Sequence, residues 1–112
     1  MEIIYATITI FGLAAIVGMY LLSLILRTKS TPKAVSALHG LLAGTALILL
    51  IVYTLGNKPG PWPSVIIFTI AALGGLVLIY RDLTGKTIPK WLGITHGLTA
   101  ILGFVLLILF AF

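Results

Sequence analysis

Polar side chains in this chain fall mostly into three short stretches, and between and beside them run four apolar blocks at roughly 3–26, 34–53, 62–80 and 91–112. Each block approaches the ~20 residues a helix needs to cross ~30 Å of hydrocarbon. The pattern predicts four transmembrane helices and leaves almost nothing over for a soluble domain. The punctuation between the blocks agrees with this. Thr31-Pro32 reads as an N-cap followed by proline in the first helical position. Gly56-Asn57-Lys58-Pro59-Gly60-Pro61 cannot continue as helix, and Thr84-Gly85 is the expected turn of the third connection. Arg81 and Asp82, next to each other there, are placed to pair locally at a gain of only ~0–1 kcal/mol.

The same pattern occurs twice. Pro32-Lys33-Ala34-Val35-Ser36-Ala37-Leu38-His39-Gly40-Leu41 returns fifty-seven residues later as Pro89-Lys90-Trp91-Leu92-Gly93-Ile94-Thr95-His96-Gly97-Leu98. The match extends to the preceding helices, where Ile10, Phe11, Ala14, Ala15, Gly18 and Leu21 meet Ile67, Phe68, Ala71, Ala72, Gly75 and Leu78. A fixed-period match is the signature of a repeat. Chance agreement between apolar residues does not readily keep Pro, Lys, His and Gly in one register. The expected fold is an all-α membrane protein, a four-transmembrane-helix bundle built from two tandem, parallel two-helix repeats. Residues 1–57 form the first repeat and 58–112 the second, within a single membrane domain spanning 1–112. Two spans return the chain to its starting side, so both repeats enter the membrane in the same orientation, related by an axis along the membrane normal. Equivalent residues then sit at equal depth.

Composition sharpens this picture. The chain is 61% hydrophobic and 8% charged, far from the roughly 25% charged residues of soluble domains. The net charge of +5 would suggest nucleic acid in a soluble protein, but here the cations sit at helix ends, so no nucleic-acid partner is expected. Arg27, Lys29 and Lys33 lie at the first connection and Arg81, Lys86 and Lys90 at the third, against Lys58 alone at the second. The positive-inside rule places the first and third connections in the cytoplasm and both termini outside, as in a bacterial or archaeal inner membrane. The first block begins at Glu2 in place of a basic segment and is too long for a cleavable signal, so it is expected to stay. With no cysteine, disulfides, iron–sulfur clusters and thiol chemistry are excluded.

His39 and His96 are the only histidines. An ionisable side chain within a span needs a partner that lipid cannot give. Each lies about six residues into its helix, roughly 9 Å below the helix start, which is deep for a short imidazole to reach water. Small residues follow at i+4 and i+7: Ala43 and Ala46 after His39, Ala100 and Gly103 after His96. This suits one haem b held edge-on between the second and fourth helices, its iron ligated by both histidines. Ala43 and Ala100 would leave room for the flat macrocycle, Gly40 and Gly97 would let the helices adjust, and Lys33 and Lys90 would lie near the propionates. Two other functions compete with this one. A proton-coupled transporter or channel would use histidine titration near neutral pH, although Glu2 and Asp82 both lie at span ends. An accessory subunit of a larger membrane complex would use the histidines only as interhelical hydrogen bonds, worth about 0.6–2 kcal/mol. A divalent metal lacks further ligands in the spans. The scattered Ser and Thr residues are expected to bond to the preceding turn and form no catalytic set.

His39-Gly40-Leu41-Leu42 and its echo His96-Gly97-Leu98 resemble the histidine helices of small transmembrane b-type cytochromes, including the ascorbate-linked type. The resemblance covers these two motifs. It implies haem ligation by His39 and His96 and electron transfer in the membrane. Those proteins typically carry four haem histidines, so two here imply a single haem. A quinone or a redox partner subunit, in an oligomer or a larger complex, would complete the electron route.

Overall fold

The computed structural model describes all 112 residues, with four helices and no strands: α1 (Glu2–Leu26), α2 (Lys33–Gly56), α3 (Trp62–Leu83) and α4 (Lys90–Ala111). Each is long and apolar enough to cross a membrane. The bundle measures 43 × 22 × 21 Å, so the helices run along its long axis. α2 and α3 extend about a turn beyond the apolar blocks, taking in Thr54-Leu55-Gly56 and Arg81-Asp82-Leu83. Backbone hydrogen bonding carries a helix past the point where its side chains turn polar.

Helices α2 and α4 start in the same way, but not as expected. Pro32 (φ −62°, ψ 127°) and Pro89 (φ −63°, ψ 133°) are extended and act as N-caps, so the helices begin at Lys33 and Lys90. Thr31 is therefore outside α2, and its hydroxyl makes no cap bond. Proline's fixed φ also suits extended backbone, and each proline carbonyl accepts the first helical bond, from Ser36 N–H at 3.0 Å and from Gly93 N–H at 3.4 Å. α1 and α3 also end alike. Lys29 N–H reaches Leu24 O at 2.8 Å and Thr28 N–H reaches Ile25 O at 3.1 Å, while Lys86 N–H reaches Arg81 O at 2.9 Å and Gly85 N–H reaches Asp82 O at 3.3 Å. Both are Schellman closures, which need a left-handed residue. Gly85 takes φ 71° freely, whereas Thr28 takes φ 56° with a β-branched side chain, a conformation such residues rarely adopt.

The helices stand at the corners of a square. α1 packs on α2 and α4, and α3 packs on α2 and α4, leaving α1/α3 and α2/α4 as the diagonals. Side chains cross both diagonals. Phe11 and Phe68 stack with centroids 3.8 Å apart and planes 4° apart, and they belong to a core with Ile4, Ala46, Leu50, Tyr53, Val65 and Leu107. Gly103 makes room for this stack, since a Cβ there would lie 3.1 Å from the Phe68 ring. The core fills the half of the bundle that holds the chain termini. There Tyr5 stacks on Phe112 at 5.7 Å and the Tyr53 hydroxyl donates to Met1 Sδ at 3.2 Å.

Only 19 of the 112 residues are buried, and the outward faces are apolar, with Leu41 70%, Met19 69% and Leu109 71% exposed. Such a surface suits lipid and would not suit water. Inside the helices most threonine hydroxyls bond to the preceding turn, as in Thr7 to Ile3 O at 2.7 Å, Thr54 to Leu50 O at 2.7 Å and Thr69 to Val65 O at 2.7 Å. No polar hydrogen is left facing hydrocarbon at those positions.

Candidate functional site

The half of the bundle towards the two basic connections carries the histidines. His39 on α2 and His96 on α4 face each other across the diagonal, with ring centroids 6.1 Å apart and planes at 82°. Each imidazole is held by the neighbouring helix of its own hairpin. His39 Nδ1 lies 2.9 Å from Ala14 O, and His96 Nδ1 lies 2.8 Å from Ala71 O. A carbonyl can only accept, so each Nδ1 carries the proton and donates. In the neutral ring the lone pair is then on Nε2, and neither ring has a further hydrogen-bond partner.

Two glycines bring the rings this close. A Cβ at Gly18 would lie 2.9 Å from His39 Cε1, and one at Gly75 would lie 3.0 Å from His96 Cε1. Any larger residue would push the imidazole away from the helix it is bonded to. Each histidine thus comes with an alanine carbonyl and a glycine on the adjacent helix, at matched positions in the two hairpins. The sequence pattern showed the pairs Ala14/Ala71 and Gly18/Gly75 as repeat matches. It did not show that their backbones hold the rings, since a carbonyl acceptor leaves no mark in residue type.

The other expected site residues are placed less uniformly. Ala43 and Ala100 are half-buried one turn beyond the histidines. Gly97 and Gly93 lie under Leu22 of α1, at 3.8 and 3.3 Å from a notional Cβ, so small residues here bring two helices together. Gly40 is exposed and meets nothing within 4 Å. The space at Gly103, expected to receive a macrocycle, holds the Phe68 ring. Lys33 is bound twice to Asp82, at 2.7 Å to Oδ1 and 3.0 Å to the backbone oxygen. This corrects the expected Arg81–Asp82 pair, because the Arg81 Nε donates instead to Thr87 O at 2.8 Å. The α3 terminus turns Asp82 inwards to the other hairpin, where a long lysine reaches it. Lys90 makes no ion pair, and the residue in Asp82's place relative to it is Ile25.

No family model, curated protein or solved structure matches this chain. The chemistry of the site is therefore read from its own donors and spacing. Two bonds of about 2 Å from one metal to two imidazole nitrogens, with about 1 Å from each nitrogen to its ring centre, would span about 6 Å with both Nε2 atoms turned onto the line between the rings; the ring centres are 6.1 Å apart. The Nδ1–H to carbonyl bond is the usual outer contact of a ligating histidine; it sets the tautomer and raises the basicity of Nε2. No third His, Cys, Asp or Glu joins the pair, so two axial ligands suit a metal whose other positions are filled by a macrocycle. Room for that macrocycle is short beside the pair. Towards the termini the Phe11–Phe68 stack closes the bundle, and the cavity of about 510 Å³ at the connections is lined by residues of the two basic connections and the adjoining helix ends, not by either histidine. The histidines fit the iron in donor type and spacing. A ring system between them would need the hairpins parted, because the Phe11–Phe68 stack closes the termini side and Phe68 fills the space beside Gly103.

Proposed function

We propose that this protein is a duplicated four-helix membrane bundle that holds one b-type haem between His39 and His96 and relays single electrons. Its termini would lie on the outer side and its basic connections in the cytoplasm, with a quinone or a redox partner subunit as the other member of the pair. One observation carries this reading: two Nδ1–carbonyl bonds, fifty-seven residues apart, leave Nε2 without a partner on two imidazoles whose ring centres lie 6.1 Å from each other across the bundle diagonal. The same equivalence, repeated in the proline caps, the Schellman closures and the glycines under the rings, supports descent from a doubled hairpin.

When bound, the haem supplies a reversible one-electron change at iron. The chain's residues do the rest. His39 and His96 are held in one tautomer and one orientation by Ala14 and Ala71. Gly18 and Gly75 let the Cε1 edge of each ring come close to α1 and α3. The phenyl stack of Phe11 and Phe68 keeps water out from the termini side. That plug also weighs against the transporter, since a proton path through the axis would have to pass a dry, close-packed aromatic layer with no hydrogen-bonding group in it.

The test is a visible spectrum of the detergent-purified protein, oxidised and then reduced with dithionite. A sharp Soret band with split visible bands on reduction is expected. His39→Ala and His96→Ala should each abolish the six-coordinate signature. A colourless preparation after expression with added haem would remove this function, and loss of the signature in only one variant would remove the symmetric ligation.

A further inference from the structure

The cavity of about 510 Å³ between the first and third connections breaks the equivalence of the hairpins. Lys29, Lys33, Lys86 and Lys90 all line it, with Asp82 as the only carboxylate. Lys33 is taken by Asp82 and the Lys86 ammonium sits 5.2 Å from the Tyr80 ring centre, while Lys29 and Lys90 have no ion-pair partner. The α2 and α4 N-termini both open at this end, adding partial positive charge. A cluster of cations at helix starts would only be a topology signal. Here a second feature accompanies it.

Two buried polar atoms have no partner: Thr31 Oγ1, in a residue only 7% exposed, and Asp82 Oδ2. Both residues line this cavity. Buried polar atoms are nearly always satisfied, and an orphan costs its full desolvation. Their repeat counterparts are Ile88 and Ile25, which also line the cavity. One wall therefore carries Thr31 and Asp82, whose unpartnered oxygens have almost no accessible surface of their own, the other wall carries two isoleucines, and ammonium groups without a carboxylate partner stand beside both. A bare inorganic anion would leave Asp82 Oδ2 facing negative charge without a donor unless it brought its own hydroxyl.

We propose that this cavity binds a phosphate ester that also carries a free hydroxyl, the chemistry of a glycerophosphate group. Lys29 and Lys90 take the phosphate, Asp82 Oδ2 accepts from the hydroxyl, and Thr31 Oγ1 bonds to the same group. The volume suits a headgroup more than a lone ion. The site is separate from the histidine pair and stands independently of what that pair holds.

The test uses purified full-length protein without added haem, in neutral detergent. Calorimetry measures binding of short-chain phosphatidylglycerol, of short-chain phosphatidylcholine, which lacks the hydroxyl and the net charge, and of water-soluble glycerol 3-phosphate. Phosphatidylglycerol is expected to bind at least about tenfold more tightly than phosphatidylcholine, the size of one charge-assisted contact. Binding of glycerol 3-phosphate as well would place the source in solution; binding of the lipid alone would place it in the membrane. Both outcomes support the site. Lys29→Gln with Lys90→Gln should lower affinity about tenfold or more, and Thr31→Val, which preserves shape, should lower it severalfold. Equal binding of the two lipids with no binding of glycerol 3-phosphate, or unchanged affinity in both variants, would overturn the proposal.

Discussion

The two halves of this bundle are built from the same helices but packed in different ways. In the terminal half, Phe11, Phe68, Leu50 and Leu107 close the axis, with Leu50 and Leu107 fully buried. In the connection half the axis is spanned by two imidazoles and then opens into a polar cavity. Threonine hydroxyls in the first half are satisfied within their own helix, whereas in the second half the imidazoles reach across helices and two buried oxygens find no partner. The contrast puts close packing at one end and the cross-helix and unpartnered polar groups at the other. A close-packed aromatic layer holds the square of helices in register and lets the other end keep polar groups and open space.

The largest change to this contrast should come from the packed end. Phe68→Ala removes the ring stacked on Phe11 and uncovers Gly103, so chemical denaturation in detergent should show a loss of about 3–5 kcal/mol. If the connection half were the stabilising end instead, the loss would be below about 1 kcal/mol.

A smaller and more local effect is expected at the rings. Gly18→Ala places a methyl 2.9 Å from His39 Cε1, which must displace the imidazole and break its bond to Ala14, at a cost of about 1–3 kcal/mol. Gly40→Ala, one residue beyond His39 and with nothing within 4 Å, should cost nothing and gain up to about 1 kcal/mol of helix propensity. Equal effects at the two glycines would show that neither is there to seat a ring.

The smallest change tests how alike the hairpins are. Thr28 holds φ 56° where its counterpart is Gly85, so Thr28→Gly should raise stability by about 1 kcal/mol. The reverse variant, Gly85→Thr, should lower it by a similar amount. A loss on Thr28→Gly would mean that the threonine side chain contributes more than its backbone costs.

Much of the fold was legible before the structure, because membrane spans are written in long apolar blocks and connections in proline, glycine and charge. The matched prolines and glycines marked where helices start and end to within a few residues. The one misplaced cap, Thr31, shows the limit: proline can serve as N-cap or first helical residue, and only the traced backbone tells which. The histidines were found from their rarity and register. Their partners were not, since the groups that hold them are main-chain carbonyls of two alanines. Glycines 18 and 75 could be read as small and matched, but not as the floor beneath each ring.

By itself the sequence determined that four helices are long and apolar enough to cross a membrane, and that the only two histidines fall in matching segments fifty-seven residues apart. These properties depend on residue type and spacing, which are local and additive along the chain. Only the tertiary structure decided that His39 and His96 meet on a diagonal, that Phe68 takes the space beside Gly103, and that Lys33 pairs with Asp82 and leaves Lys90 free. Those outcomes depend on which faces the helices turn inwards, and that is settled by side-chain volume at contacts between distant residues, where one aromatic ring or one carboxylate outweighs the repeat.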